Sequence, residues 1–307
     1  MQLPRKVDFR ANFLSSEWRY AAEIICRKHN LPFKNLQRCE LGESVVYLVD
    51  DKYAIKIYIP TKCILEREKN ALKLVQTSIK TPEVVAFGEL ENYKYLVTTQ
   101  IMGEVLNRQL WLKLIPKEQV EILNSLAKGL KELHRSAISN IAFDWGKFIK
   151  RQAETCFERQ KACQVNDQVL AQIPIYLAEN LQLLPENFET VFLHGDVHFG
   201  NLRLSKDGGV WQISGLFDFA DSLNGFKEYD FLAVGLLMIQ GQGDLQREFF
   251  RAYGYADRDI NVELRKRLML LTMFYEWSDL RRYAIRLRPA AVDYSLIELE
   301  QAIWNFC

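Results

Sequence analysis

Long apolar runs are missing from this 307-residue chain. The longest, Phe231 to Ile239, falls well short of the roughly 18 residues that a membrane-spanning helix requires. An excess of either charge is missing too. With 40 Lys and Arg against 39 Asp and Glu, the net charge of +1 creates no broad field that would draw nucleic acid or an anionic membrane, so any charge selectivity must be local. The six cysteines form no C-x-x-C pair and no zinc-like cluster with histidine, which implies reduced, mainly structural thiols. Only four histidines occur, which argues against a His-rich transition-metal centre. The opening M-Q-L-P-R-K-V-D-F-R has charges where a signal peptide would have its apolar core, and a cytoplasmic protein is expected. Neither an internal repeat nor a low-complexity tract is present.

The length suffices for a substantial core, in one large domain or two lobes. S-S-E-W-R-Y-A-A-E-I-I-C-R-K-H-N has Ser at a plausible N-cap and ends at Asn30 before Leu31-Pro32, which predicts a first helix. V-V-Y-L-V-D-D-K-Y-A-I-K-I-Y-I predicts two strands around Asp50-Asp51-Lys52, with Asp where a hairpin usually has Gly. A helix is expected from Thr61 to Val75, with Leu65, Leu72 and Val75 on one face, and Pro82 opens a second hairpin around Glu91-Asn92. After Gly103 the pattern becomes helical. Val120, Leu123, Leu126, Leu130 and Leu133 mark a helix from Pro116 to Ser136, another is expected from Trp145 to Gln164, and everything beyond Tyr229 reads as helix. The expectation is a strand-rich lobe over residues 1–100 and a larger, mainly helical lobe over residues 101–307.

The chemistry is concentrated in F-L-H-G-D-V-H-F-G-N, which holds His194, Asp196 and Asn201, and in L-F-D-F-A-D, which holds Asp218 and Asp221. The spacing H-x-D-x-x-x-x-N with a later Asp is that of a kinase catalytic loop. Phosphoryl transfer needs one carboxylate near the attacking hydroxyl and separate oxygen ligands for Mg²⁺, and Asp196, Asn201 and Asp218 can supply them. Lys56 stands alone in an apolar strand, where burial without a partner would be costly. In the V-A-I-K pattern such a lysine holds nucleotide phosphates and pairs with a helix carboxylate. Glu68 is the expected partner, with Glu66 as the alternative. Leu41-Gly42-Glu43-Ser44 is the candidate loop over the phosphates, where Ser44 can offer its hydroxyl, although no G-x-G-x-x-G is present.

These residues together resemble the aminoglycoside phosphotransferase and choline kinase superfamily of small-molecule kinases. The resemblance covers Lys56, Glu68, the stretch from Thr98 to Gly103, L-K-E-L-H at Leu130 to His134, H-G-D-V-H-F-G-N, F-D-F-A-D and K-E-Y-D-F-L-A. It implies an α+β, bilobal protein-kinase-like fold with a small antiparallel-sheet N-lobe. It further implies Asp196 as catalytic base, Asn201 and Asp218 as Mg²⁺ ligands, and Lys56, Glu68, Thr99 and Ile101 on the side of the ATP or GTP donor, where Ser44 is placed only by its position ahead of Lys56. Asp230 would brace the catalytic loop. Two departures stand out: the phosphate loop lacks a family signature, and S-K-D-G-G-V-W-Q-I-S-G between Asn201 and Asp218 suggests a longer hairpin than usual.

The acceptor implied is a hydroxylated small molecule, antibiotic or metabolite, expected between residues 144–183 and the helices after Asn261. A protein kinase is disfavoured because Gly195 replaces the Arg of H-R-D, Phe-Ala follows Asp218, and no A-P-E lies downstream. A catalytically silent nucleotide-binding protein is the other alternative. Glu154, Glu158, Glu276 and Asp279 are carboxylates available for a cationic acceptor, the last two expected on one helix face with Arg281 and Arg282 beside them. Trp145, Tyr275 and Trp277 could cage a quaternary ammonium. His198 is expected to be solvated or to face phosphate, His194 to bond backbone, and His134 to cap or pack.

Overall fold

The computed structural model describes residues 3–4, 9–40, 42–59, 64–137 and 143–307. The N-terminal part runs α1 (Glu17–Lys28), β1 (Leu36–Cys39), β2 (Val45–Val49), β3 (Tyr53–Ile57), α2 (Ile64–Leu74), β4 (Val84–Leu90) and β5 (Tyr93–Thr99). All its strand pairs are antiparallel, in the order β1-β2-β3-β5-β4. Alternation along β2 and β3 sends Val45, Tyr47, Val49, Ile55 and Ile57 to a core shared with Trp18, Ile25 and Tyr95, and leaves Lys56 on the opposite face. Tyr58 and Leu96 lie on that second face with Leu65 of α2. The two hairpins turn where expected. Asp50 and Asp51 take left-handed φ of 49° and 54°, tolerable for Asp, and the Asp50 carboxylate accepts from Lys34 N–H at 2.7 Å and Asn35 N–H at 2.6 Å.

Strand β1 has no counterpart among the strands expected from the sequence. L-Q-R-C has one buried residue, Leu36, and no period-two run to announce it. Its pairing with β2 is antiparallel, with Cys39 opposite Val46. Leu41 lies outside the described residues, as do residues 61–63 at the start of the expected Thr61 helix.

The C-terminal part comprises β6 (Glu104–Val105), α3 (Arg108–Lys113), α4 (Pro116–Leu133), α5 (Trp145–Ala162), α6 (Asp167–Asn180), β7 (Val191–Leu193), β8 (Leu202–Asp207), β9 (Val210–Leu216) and β10 (Leu223–Gly225). It ends with α7 (Phe231–Ala233), α8 (Gly243–Tyr253), α9 (Val262–Phe274), α10 (Leu280–Leu287) and α11 (Leu296–Ile303), with α7 running into a π-helical turn at Val234–Ile239. Its core gathers Leu123, Leu126, Leu130 and Leu133 of α4 with Phe231, Phe249 and the buried stretch Leu268–Phe274. Side-chain caps fix several helix starts: Asn107 on α3, Asp144 on α5, Asn166 on α6, Asn261 on α9 and Asp279 on α10, each worth about 1 kcal/mol. The long interval between Asn201 and Asp218 is the β8–β9 hairpin, turned at Gly208 and Gly209 with φ of 55° and 85°. Together the parts make a bilobal α+β fold with a small antiparallel N-lobe and a helical C-lobe.

The hinge is close-packed. Gln100 N–H donates to Lys52 O at 2.8 Å, and Gly103 has φ of 144° and lies so near β8 that a Cβ would sit 2.8 Å from Leu204 O. No helix among the described residues is long and apolar enough to cross a membrane. Cys26, Cys39, Cys156, Cys163 and Cys307 are free thiols, and burial pushes Cys26 and Cys156 up to about 11. Cys63 lies outside the described residues.

Candidate active site

The catalytic stretch follows β7 and is held from beneath by Asp230. Its carboxylate accepts from His194 N–H at 2.9 Å and Gly195 N–H at 2.7 Å, and its Oδ2 lies 3.0 Å from His134 Nε2. His134 Nδ1 in turn meets Tyr253 OH at 2.7 Å, so this imidazole relays a buried bond between α4, α8 and the loop rather than merely capping α4. His194 Nε2–H donates to Phe217 O at 3.1 Å, and Nδ1 accepts from Asp196 N–H at 3.2 Å. That pair of bonds fixes one neutral tautomer and ties the loop to the end of β9. Gly195 has φ of 86°, and a Cβ there would collide with the backbone of Asp221. The Arg of a protein-kinase H-R-D has no room here.

Asp196 is bonded on both oxygens. Oδ1 accepts from Tyr275 OH at 3.1 Å, while Oδ2 meets His198 Nε2 at 3.1 Å and Asn201 Nδ2 at 3.4 Å. His198, expected to be solvated or to face phosphate, is half-buried, with 30% of its side chain still exposed, and is bonded to Asp196. Its Nδ1 accepts from Gly200 N–H at 2.9 Å, which obliges Nε2 to carry the hydrogen given to Asp196. Burial would lower the proton affinity of this imidazole, but the bond to Asp196 and its charge outweigh burial and raise it. Tyr275 is not recognisable from the sequence as an Asp196 partner, because 79 residues separate the two and only the fold brings the end of α9 to the loop.

Asn201 and Asp218 meet through the β8–β9 hairpin. Leu202 pairs with Leu216, and just beyond that pair Phe217 N–H donates to Asn201 O at 3.1 Å. Asn201 Nδ2 also donates to Asp196 O at 2.9 Å, which leaves its amide oxygen as the atom to offer a cation. Asp218, in the left-handed region at φ 68°, places Oδ1 2.5 Å from Lys56 Nζ. An amide oxygen and a carboxylate at the base of one hairpin suit a hard cation that takes its other ligands from phosphate and water. Among the described residues no cluster of three or more His, Cys, Asp or Glu is arranged to hold a metal by itself.

Lys56 joins the lobes. Its Nζ lies 2.9 Å from Glu68 Oε2, which also accepts from Tyr58 OH at 2.7 Å. Glu66 instead pairs with Lys69 at 2.7 Å. Burial disfavours the charge on Lys56, yet Asp218 and Glu68 more than offset it, so the ammonium stays protonated. Asp218, likewise opposed by burial, is held below the usual carboxylate range by Lys56, while burial raises Glu68. On Asp221 the Lys56 charge acts only weakly. Burial first, then Asp196, Asp218 and Glu276, push its carboxyl up to about 6.

The remaining nucleotide-side candidates are less committed. Ser44 is buried at the entry to β2. The Thr99 hydroxyl accepts from Glu83 N–H at 2.9 Å and so serves the entry of β4. Ile101 packs against Gly215 of β9.

The expected cationic-acceptor features do not assemble. Glu276 lies in the turn after α9 and Asp279 is the N-cap of α10, accepting from Arg282 N–H at 2.8 Å, so they do not share a helix face. Among the described residues no ion pair joins either to Arg281 or Arg282. Glu154 and Glu158 lie exposed on α5. Trp145 packs on Phe148, Phe188 and Tyr229 as core, Tyr275 is spent on Asp196, and Trp277 alone of the three is exposed.

A family model described as Phosphotransferase enzyme family matches residues 35–266. No curated protein matches the sequence. Among solved structures, the chain is similar to the GDP complex of wild-type aminoglycoside 2'-phosphotransferase-IIIa, with TM-score 0.70 and 15% identity over 95% of this chain and 99% of that one. It is similar to ADP-bound aminoglycoside phosphotransferase APH(2'')-Ib, with TM-score 0.61 and 19% identity over 93% and 99%. A ternary complex of aminoglycoside phosphotransferase APH(4)-Ia with ADP and hygromycin B matches with TM-score 0.62 and 15% identity over 92% and 97%. At these identities the likeness is one of fold.

Proposed function

The chain belongs to the phosphotransferase enzyme family and is a small-molecule kinase, and from that premise we propose that its cleft moves the terminal phosphoryl group of ATP or GTP to an acceptor hydroxyl with the help of Mg²⁺. What supports this most is one arrangement: the β8–β9 hairpin sets Asn201 beside Asp218, and the Asn201 side chain is bonded to Asp196. Base and cation donors thus share one small rigid frame.

Asp196 takes the hydroxyl proton while the acceptor oxygen bonds to the terminal phosphorus and the bond from that phosphorus to the bridging oxygen breaks, releasing the nucleoside diphosphate. His198 and Tyr275 hold the carboxylate from either side. Lys56, fixed by Glu68, offers its ammonium to phosphate oxygens. When bound by Asn201 and Asp218, Mg²⁺ would neutralise charge on the phosphates as it develops.

A nucleotide-consumption screen across hydroxylated metabolites and antibiotics, run beside Asp196→Asn, tests this. Consumption coupled to one acceptor and lost in the variant is expected. Equal consumption by the variant would remove Asp196 from the reaction.

A further inference from the structure

We propose that Arg286, Arg282 and Arg108 form an anion subsite beside the catalytic loop, and that the hydroxylated acceptor carries a carboxylate or phosphate group seated there. This rests on the phosphotransferase reading and names the acceptor class that reading leaves open.

The three guanidiniums come from two elements. Arg282 and Arg286 stand one turn apart on α10, and like charges at that spacing repel rather than stabilise a helix. Arg108 opens α3, where its Nη1 donates to Met238 O at 3.1 Å. The structure brings α3 to the loop through Trp111, whose ring centroid lies 5.8 Å from that of Phe199. The start of α10 is held to the turn that carries Tyr275, with Tyr283 OH donating to Trp277 O at 3.3 Å. Both elements therefore border the loop whose Asp196 meets His198 and Tyr275.

Their mutual effect is electrostatic and opposed only in part by Tyr283 and Asp279. Burial lowers the proton affinity of Arg286 first, and the charges of Arg282 and then Arg108 lower it further. The Arg286 charge also acts on His198, opposing the bond to Asp196 that raises it. Among the described residues none of the three has a carboxylate within ion-pair distance. By contrast, Arg265 and Arg267 are matched to Glu300 at 2.7 Å and Glu228 at 2.6 Å. Asp279, which acts weakly on Arg286, is already committed to capping α10. Clustered guanidiniums without carboxylates are suited to a planar or tetrahedral oxyanion, which they can meet with paired N–H donors. A polycationic acceptor would meet like charge here, which costs affinity.

The probe is inorganic sulfate, titrated into ADP-saturated protein and followed by calorimetry. Binding is expected, weakened at least tenfold by Arg286→Gln and less by Arg282→Gln, with ADP affinity measured on each variant as the check on folding. Absence of sulfate binding, or equal binding by Arg286→Gln, overturns the subsite. Should ADP itself fail to bind, the kinase reading falls separately, and the same sulfate titration on nucleotide-free protein still decides the subsite. Acceptors are then compared in matched sets, a neutral polyol against its carboxylate and its phosphate ester. One anionic member is expected to exceed the neutral one at least tenfold in kcat/KM, its identity distinguishing carboxylate from phosphate. Preference for the neutral member or for an aminoglycoside overturns the assignment.

Discussion

Asp218 Oδ1 lies 2.5 Å from Lys56 Nζ although 162 residues separate them in the chain. With Glu68 on the other side of the same ammonium, two carboxylates share a single cation from β3. Removing one partner of a buried pair leaves an uncompensated charge and costs about 3–5 kcal/mol. Lys56→Met is therefore expected to lower unfolding free energy by about 3 kcal/mol and to raise the nucleotide KM. Adding Glu68→Gln should restore most of the stability and none of the activity. Denaturant melts of the single and double variants check this, and an undiminished midpoint for Lys56→Met would show that the triad adds nothing net.

Asp196→Asn should keep the fold and nucleotide binding while turnover falls by about two to four powers of ten. His198→Ala tests how the base is held. Gly200 fixes the imidazole so that Nε2–H points at Asp196, and losing that orientation should lower kcat by about tenfold to a hundredfold with little change in nucleotide KM. An unaltered kcat in His198→Ala would mean that Tyr275 and Asn201 suffice to aim the carboxylate.

The fold and the candidate base and metal donors are legible in the sequence where local pattern coincides with tertiary role. Lys56 is isolated in an apolar strand, and Asp196, Asn201 and Asp218 are close in sequence because a loop and one hairpin carry them. The choice of Glu68 over Glu66 is legible because Glu68 lies on the packing side of α2, where it is buried beside Leu65. Tyr275, Asp230's relay through His134 to Tyr253, and the His198 contact are not, since long-range packing sets them and no local period encodes it. Strand β1 is hidden for a different reason: it is short and polar, and pairing with β2 rather than propensity makes it a strand. Asp279 resembles a helix-face acid because its spacing from Glu276 suits a helix. The chain instead breaks after Phe274 and restarts at Leu280, and a helix that starts there needs an N-cap.

Activity should require Mg²⁺ or Mn²⁺ and vanish with chelator, because the oxygen donors Asn201 and Asp218 suit a hard cation. Asp218→Ala is expected to weaken metal binding and reduce the rate together. It also strips Lys56 of one partner, so metal titration at fixed nucleotide is the decisive measurement rather than rate alone. A variant that binds metal as tightly as the parent would transfer the ligand role to Asp221 or another group.

Stability should depend on pH through Asp221. Its carboxyl is pushed up to about 6 from an ordinary 3.8 by burial and by Asp196, Asp218 and Glu276. A folded-state value above the unfolded one means that folding takes up a proton between those two pH values. The contribution is present in full below about pH 4 and is lost as pH rises through 6. Each pH unit between the unfolded and folded values is worth about 1.4 kcal/mol, so the ceiling is roughly 3 kcal/mol, less whatever solvent screens. Asp221→Asn keeps the shape and removes the titration, so it should gain about 1–3 kcal/mol over the parent at pH 8 and little at pH 4. Urea melts of nucleotide-free, magnesium-free protein at both pH values check this. Parallel curves for parent and variant would show that Asp221 stays ionised in the folded state, its repulsion by the neighbouring carboxylates relieved by water.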